Sequence, residues 1–122
     1  MITNLNTVSL YVRDQQQAKQ FYVDTLGFEL TTDADMGEMG RWIEVAPKGA
    51  RTGVVLADAA AFDKQDRVGR SADVTLHCSD VHALHAELAG KGVPVTEPET
   101  QQWGTFIKVT DPDGHELLIS QQ

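Results

Sequence analysis

The sequence predicts an α+β domain made of two βαβββ modules, each with a mixed sheet and one helix packed behind it. Three observations support this fold class. Several short stretches alternate apolar and polar residues, as half-buried strands do. Two stretches with helical spacing each begin after an Asp and end at a Gly. The same order of elements also occurs twice along the chain, which indicates an internal repeat.

The repeat aligns residues at offsets of 64 to 66 positions. WIEVAPKG in the first half corresponds to FIKVTDPDG in the second half. The matched positions are Asp14 with Asp80, Gly27 with Gly92, Trp42 with Phe106, Val45 with Val109 and Gly49 with Gly114. We therefore place module 1 at about residues 1–57, a connection at 58–71 and module 2 at about 72–122.

The first module begins with a predicted strand over residues 7–12, where Val8, Leu10 and Val12 share one face. Asp14 caps a predicted helix that Gly27 ends. Residues 28–32 form the second predicted strand, and the acidic, glycine-containing stretch 33–40 is expected to be a loop. Residues 41–46 and 52–57 complete the module as strands on either side of a Pro-Lys-Gly turn.

The connection, residues 58–71, has only weak helical character. Residues 72–78 then form a predicted strand, and a helix follows Asp80 and stops at Gly92. Residues 93–95 form a short strand that contains Pro94 and is therefore expected at an edge. The hairpin over 103–120 turns at Asp-Pro-Asp-Gly, where Asp111 bonds the local backbone and Gly114 accepts a positive φ.

Composition excludes several classes of partner. The net charge of −8 and the pI near 4.7 argue against nucleic acids and anionic membranes. One cysteine rules out an intrachain disulfide, and neither a signal peptide nor a transmembrane stretch is evident. We therefore expect a cytoplasmic protein.

VSLYVRDQQQAKQFYVDTLGFEL, GRWIEVAPKG and VTDPDGHELLIS resemble the vicinal oxygen chelate (VOC) superfamily. This superfamily includes glyoxalase I, extradiol dioxygenases, fosfomycin-resistance enzymes and bleomycin-binding proteins. The resemblance covers nearly the whole chain. It implies that the strands curl into a cup with the helices behind, and that the modules pair within a chain or swap between two chains. It is specific for the fold, whereas the fold hosts many chemistries.

The metalloenzymes of this superfamily hold a divalent ion in the cup with His and Glu ligands. The corresponding positions here are Thr7, Val55 or Leu56, Asp73 and Leu118. Only Asp73 can ligate a metal, and divalent ions need several oxygen or nitrogen ligands. We therefore expect no metal and no other cofactor, with a divalent metal held by displaced ligands as the alternative.

Along each predicted strand, the side chains that alternate with the apolar positions are predicted to face a small-molecule ligand. This face is assigned from the apolar alternation of the strands, and an aromatic site with a few polar groups suits such a ligand. Trp42 and Phe106 are repeat-equivalent and could stack on two sides of a flat or cationic group. Alternatively, they fill a subunit interface or a hydrophobic gap. The predicted ligand-binding residues are Thr7, Ser9, Tyr11, Trp42, Glu44, Asp73, Thr75, His77, Phe106 and Lys108.

Candidates for catalysis are His77, Glu44 and Glu116, which share the cup-facing parity. A hydrogen-bonded rim histidine explains His77 more simply. Cys78 is expected to point into the core, where a thiol is inert. His82 and His85 make an incomplete metal site, and Asp111 with Asp113 is explained by turn chemistry.

These observations predict a metal-free, homodimeric protein that binds and sequesters an aromatic or cationic small molecule. One alternative is a lyase, isomerase or dioxygenase that uses displaced metal ligands or an acid–base pair. Another is an assembly module without a ligand.

Overall fold

The computed structural model describes all 122 residues, Met1 to Gln122. The chain divides into two compact units, Met1–Ala72 and Asp73–Gln122. Each unit contains one four-stranded mixed sheet and one main helix, so the α+β class and the repeated βαβββ order are confirmed. Neither helix has the length and apolar character that crossing a bilayer requires.

In the first unit, the sheet order is β1-β4-β3-β2. The strands are β1 (Thr7–Val12), β2 (Glu29–Asp35), β3 (Arg41–Ala46) and β4 (Gly53–Asp58). β1 runs parallel to β4, and the other two neighbouring pairs are antiparallel. The helix α1 (Gln15–Gln20) continues as a π-helical turn over Phe21–Thr25.

The predicted ends of α1 are confirmed. The Asp14 side chain accepts a hydrogen bond from the Gln17 backbone N–H at 3.1 Å, which satisfies one unpaired donor of the first turn. Gly27 has a φ of 81° just after the helix. On the sheet side, Ala18 and Tyr22 are buried, and the Tyr22 ring contacts Phe28 edge-on.

The second unit repeats the arrangement with the order β5-β8-β7-β6. Its elements are β5 (Val74–Cys78), α2 (Val81–Gly90), β6 (Glu99–Gln101), β7 (Gly104–Thr110) and β8 (Glu116–Gln121). Asp80 caps α2 by accepting from the Ala83 N–H at 3.0 Å. Val81 and Leu88 of α2 are fully buried, as are Ile107 and Val109 of β7.

The closing hairpin turns where predicted, at Asp111 to Gly114, and its apolar positions lie on one buried face. Val109 pairs with Leu117 and Ile107 with Ile119, and all four are buried. Its turn is built on Asp111, whose Oδ1 accepts from the N–H groups of Asp113 at 3.0 Å and His115 at 2.8 Å. The turn explanation for Asp111 is therefore confirmed.

Two predicted boundaries were wrong. Residues 93–95 form no strand: Val95 makes one isolated bridge to Val109, and the edge strand is Glu99–Gln101. A regular ladder cannot form there because Pro94 has no N–H to donate. Its carbonyl still accepts a hydrogen bond from the Thr110 N–H at 3.0 Å.

The predicted loop over 33–40 was also too long. β2 continues to Asp35 because it keeps pairing with β3 as far as Arg41. A bulge near Thr31 precedes this extension, and the Thr31 hydroxyl donates to the Glu44 carbonyl at 3.0 Å. The connection forms turns, with a short 3₁₀ segment at Gln65–Arg67.

Candidate ligand-binding groove

In the first unit, the sheet face opposite α1 carries Trp42 and four of the other predicted ligand-binding residues, three of them on β1. On β1 these are Thr7, Ser9 and Tyr11, which lie beside Gly53, Val55 and Ala57 of β4. Across the sheet, Glu44 of β3 pairs with Val55, and Trp42 pairs with Ala34 of β2. Because cross-strand partners share a face, the structure brings Trp42, Glu44 and the β1 residues to one surface.

This surface contains a cavity of about 190 Å³, which we call the groove. It is lined by Met36, Met39, Arg41, Trp42, Val55, Ala57 and Phe62. Binding sites for drug-sized ligands enclose roughly 300–1,000 Å³, so the groove suits one ring system of a ligand. Its walls are thioether, aromatic and aliphatic groups, which favour a flat apolar surface.

Arg41 brings little charge to the groove. It shares its strand face with Ile43, whose side chain is buried against the helix side of the sheet. Its guanidinium donates to Asp33 at 3.0 Å and 2.6 Å and to the Gln16 side chain at 2.9 Å. Hydrogen bonds from Arg41, and then from Lys19, lower the pKa of Asp33 from 3.8 to about 2.

A break in the β3–β4 ladder adjoins the groove. The two strands pair at only two positions, Glu44 with Val55 and Val45 with Val54. Beyond them, the side-chain amide of Gln15 occupies the gap. Its nitrogen donates to the carbonyls of Arg41 at 2.6 Å and Leu56 at 2.8 Å, and its oxygen accepts from the Arg41 N–H at 3.1 Å.

A glycine lets the chain approach this inserted amide. Gly40 has a φ of 81°, and a Cβ there would lie 3.0 Å from the Gln15 side-chain oxygen. The Gly40 carbonyl accepts from the Met36 N–H at 2.8 Å, which closes the turn that carries Met36 and Met39. The Gln15 amide therefore supports both the split between the strands and the base of the methionine turn.

At the β1 side, Phe62 links the groove to Tyr11. The two rings meet edge-on with centroids 6.4 Å apart. The guanidinium carbon of Arg67 lies 5.9 Å from the centre of the Tyr11 ring, a cation–π arrangement. Tyr11 is thus held beside the groove between an aromatic ring and a cation of the connection.

The predicted residues of the second unit lie on the corresponding face of its sheet. His77 and Phe106 are both neighbours of Ser120, and Thr75 and Lys108 are both neighbours of Leu118. Lys108 Nζ is 3.8 Å from the Glu116 carboxylate, so these two predicted site residues form an exposed ion pair. Asp73 precedes β5, which begins at Val74, two residues later than the predicted strand over residues 72–78.

Phe106 has a partner that sequence reasoning did not assign to the site. The Trp103 ring stacks on it at 4.9 Å with planes 21° apart, which leaves Phe106 7% exposed and Trp103 61% exposed. The expectation that Phe106 and Trp42 flank one ligand stays a prediction.

Sequence reasoning also missed Met36, Met39 and Phe62. The methionines lie in a stretch interpreted as a plain acidic loop, and Phe62 lies in the connection. For the two methionines, the available indication was that apolar residues occur within a glycine-rich turn.

His115 is another residue that sequence reasoning passed over. Its Nδ1 lies 2.9 Å from Asp111 Oδ2, and both side chains are fully buried. The pair closes the β7–β8 turn from within, which gives it a structural role. By contrast, His85 lies 3.7 Å from an exposed Glu97 carboxylate on the surface of α2.

The residues at the superfamily's metal positions do not fit a divalent ion. Thr7 and Val55 face the groove side of the first unit, and Leu56 is fully buried on the opposite face. In the second unit, Leu118 supplies no donor atom, and Asp73 is the single potential ligand among these positions. The structure assembles no group of three or more His, Cys, Asp or Glu side chains suited to a metal.

The glyoxalase/bleomycin resistance protein/dioxygenase superfamily model matches residues 4–119. The chain belongs to this superfamily. It is 36% identical to the uncharacterised protein YetH of Bacillus subtilis (strain 168), over 99% of this chain and 100% of YetH.

Among solved structures, this superfamily member resembles TnmS3, an antibiotic binding protein from Streptomyces sp. CB03234. The two are 39% identical with a TM-score of 0.87, over 98% of this chain and 96% of TnmS3. A glyoxalase/bleomycin resistance protein from the same organism is 40% identical with a TM-score of 0.83, over 97% of this chain and 100% of that one.

Proposed function

We propose that the protein binds a flat, largely apolar small molecule of the antibiotic type and sequesters it chemically unchanged. The observation that carries this proposal is the groove, which is lined by Trp42, Phe62, two methionines and small aliphatic residues, together with Arg41, whose guanidinium bonds Asp33. Trp42 is 38% exposed, so its ring is available for stacking on a ligand. The similarity to the antibiotic binding protein TnmS3 supports the same class of ligand.

The groove also offers flexibility that suits aromatic ligands of different outline. Thioether side chains adapt to irregular apolar surfaces and make favourable contacts with ring edges. Met36 and Met39 are 52% and 42% exposed, on a turn that packs beside Trp42. A ligand ring would bury these three side chains together and remove apolar surface from water.

We further propose that binding needs no metal, because the superfamily's metal positions carry Thr7, Val55 or Leu56, Asp73 and Leu118, of which only Asp73 can ligate a metal. The acid–base candidates Glu44, His77 and Glu116 would then have no catalytic role. A cytoplasmic homodimer is our proposal for its location and assembly. The single cysteine agrees with a reducing compartment, since no intrachain disulfide is available.

The test is equilibrium binding of an antibiotic panel rich in fused aromatic rings, followed by isothermal calorimetry. Trp42→Ala should weaken binding at least tenfold, whereas Trp103→Ala should still allow ligand to reach the groove. The ligand should be recovered with its mass unchanged. Stoichiometric bound metal together with turnover, or a Trp42→Ala variant with native affinity, would contradict the proposal.

A further inference from the structure

One end of the groove is bordered by a polar side chain, although the groove lining itself is mainly apolar. Glu44 lies on the same strand face as Trp42, two residues farther along β3, which corresponds to roughly 7 Å. Its cross-strand partner, Val55, forms part of the groove. An acidic side chain therefore stands next to the apolar walls.

Gly53 on the neighbouring strand leaves room for the Glu44 side chain. A Cβ at Gly53 would approach Glu44 Oε2 to 2.7 Å and its Cγ and Cδ to 3.1 Å and 3.2 Å, so the Glu44 side chain would have to shift to make room for it. Gly53 is buried and has no positive φ, so its backbone conformation does not require glycine. The missing side chain instead leaves the space that the Glu44 side chain occupies over β4.

The Glu44 carboxylate is not neutralised by another side chain. No hydrogen bond or ion pair engages its carboxylate; the side-chain bond at this residue runs from the Thr31 hydroxyl to the Glu44 backbone carbonyl. By contrast, Asp33 on the other face is held by Arg41 and Lys19. Of these two carboxylates of the first sheet, only Glu44 is available to a ligand in the groove.

We infer that Glu44, seated over Gly53, selects ligands that carry a cationic group at one end of a flat aromatic body. This inference rests on the proposed function and names the class of ligand within it. The aromatic body would contact Trp42 and the methionine turn, and the cation would lie against the Glu44 carboxylate. An anionic group at the same end would meet a like charge and bind more weakly.

The experiment compares three anthracenes that share one ring system and differ in one end group: aminomethyl, hydroxymethyl or carboxylate. Dissociation constants are measured by quenching of protein fluorescence at low and high salt. We expect the aminomethyl compound to bind about fivefold more tightly than the neutral one, and the carboxylate about fivefold less tightly, as a partly exposed charge interaction allows.

Two variants assign the preference to this carboxylate. Glu44→Gln keeps the shape of the side chain and should bring the three affinities to within about twofold of one another. Gly53→Ala should weaken the preference by displacing the carboxylate. The matched control is Glu87→Gln, which removes one exposed charge from α2 and should leave the preference unchanged.

The outcomes separate this inference from the proposed function. If the neutral anthracene fails to bind, or binds equally well to Trp42→Ala, the proposed function is wrong. If it binds through Trp42 but the charged compounds show no preference, or Glu44→Gln retains the preference, only the inference is wrong. Thermal unfolding checks that each variant is folded, and Glu44→Gln decides the question if Gly53→Ala is unfolded.

Discussion

Replacement of Gln15 by Leu should destabilise the first unit more than any nearby exposed substitution. Gln15 is 9% exposed, and its amide makes hydrogen bonds to three backbone groups at 2.6 Å, 2.8 Å and 3.1 Å. Leu has a similar size but offers neither donor nor acceptor. The variant therefore leaves the Arg41 N–H and the carbonyls of Arg41 and Leu56 without these partners.

The expected loss follows from the number of bonds. A hydrogen bond in a folded protein contributes about 1 kcal/mol net, and an unsatisfied buried group costs about 1–3 kcal/mol. Three such groups give a loss of about 3 kcal/mol in the free energy of unfolding. With a urea m-value of about 1–3 kcal/mol/M, the midpoint should fall by about 1–3 M.

Urea unfolding can be followed in a Trp103→Phe background, where Trp42 is the remaining tryptophan and reports on the first unit. The control is Gln16→Leu. Gln16 also bonds Arg41, at 2.9 Å, but it is exposed, so its loss should cost no more than about 0.5 kcal/mol. Equal midpoints for the two variants would refute the role that we assign to the inserted amide.

Three further outcomes are expected. Because the folded-state pKa of Asp33 is lowered to about 2, its stabilising contribution is present above about pH 4 and is lost as pH falls toward 2. The difference in urea midpoint between the native protein and Asp33→Asn should therefore shrink as the pH falls from 4 to 2. A difference that stays constant over this range would contradict the prediction. Burial raises the pKa of the Cys78 thiol. Its reaction with an aromatic disulfide reagent at pH 7 should therefore be slower than the reaction of free cysteine. An equal rate would argue against burial of the thiol. His115→Ala should lower the free energy of unfolding by about 3 kcal/mol, because it removes a fully buried partner of Asp111. His85→Ala, which removes a surface contact, should lower it by under about 1 kcal/mol. Similar losses for the two variants in denaturant unfolding would show that burial of the His115–Asp111 pair is unimportant.

The fold could be predicted because its determinants are local and occur twice. Asp14 and Asp80 each cap a helix by bonding a backbone N–H three residues later. The alternation around Val109 and Leu117 predicted which positions of the hairpin are buried. The edge strand at Glu99–Gln101 escaped prediction because it is polar and exposed, so pairing with β7 alone defines it.

The groove was predicted only in part, since its walls come from elements with no regular periodicity. Trp42 followed from strand parity. Phe62 lies in the connection, and Met36 and Met39 lie in a turn. The alternation of side chains along a strand therefore does not predict where these residues face. The role of Gln15 depends on a helix residue meeting a gap between two strands, a long-range contact that no spacing in the sequence encodes.

The parallel pairing of β1 with β4 has a consequence for how each unit assembles. Thr7 pairs with Gly53, and in the second unit Val74 pairs with Leu117, so both contacts close long stretches of chain. Antiparallel neighbours such as β7 and β8 meet through a short turn and lose less chain entropy on closing. We therefore expect the hairpins to form early and the first strand of each unit to dock last. Under native conditions, amide protons of β1 and β5 should exchange with solvent before those of β7.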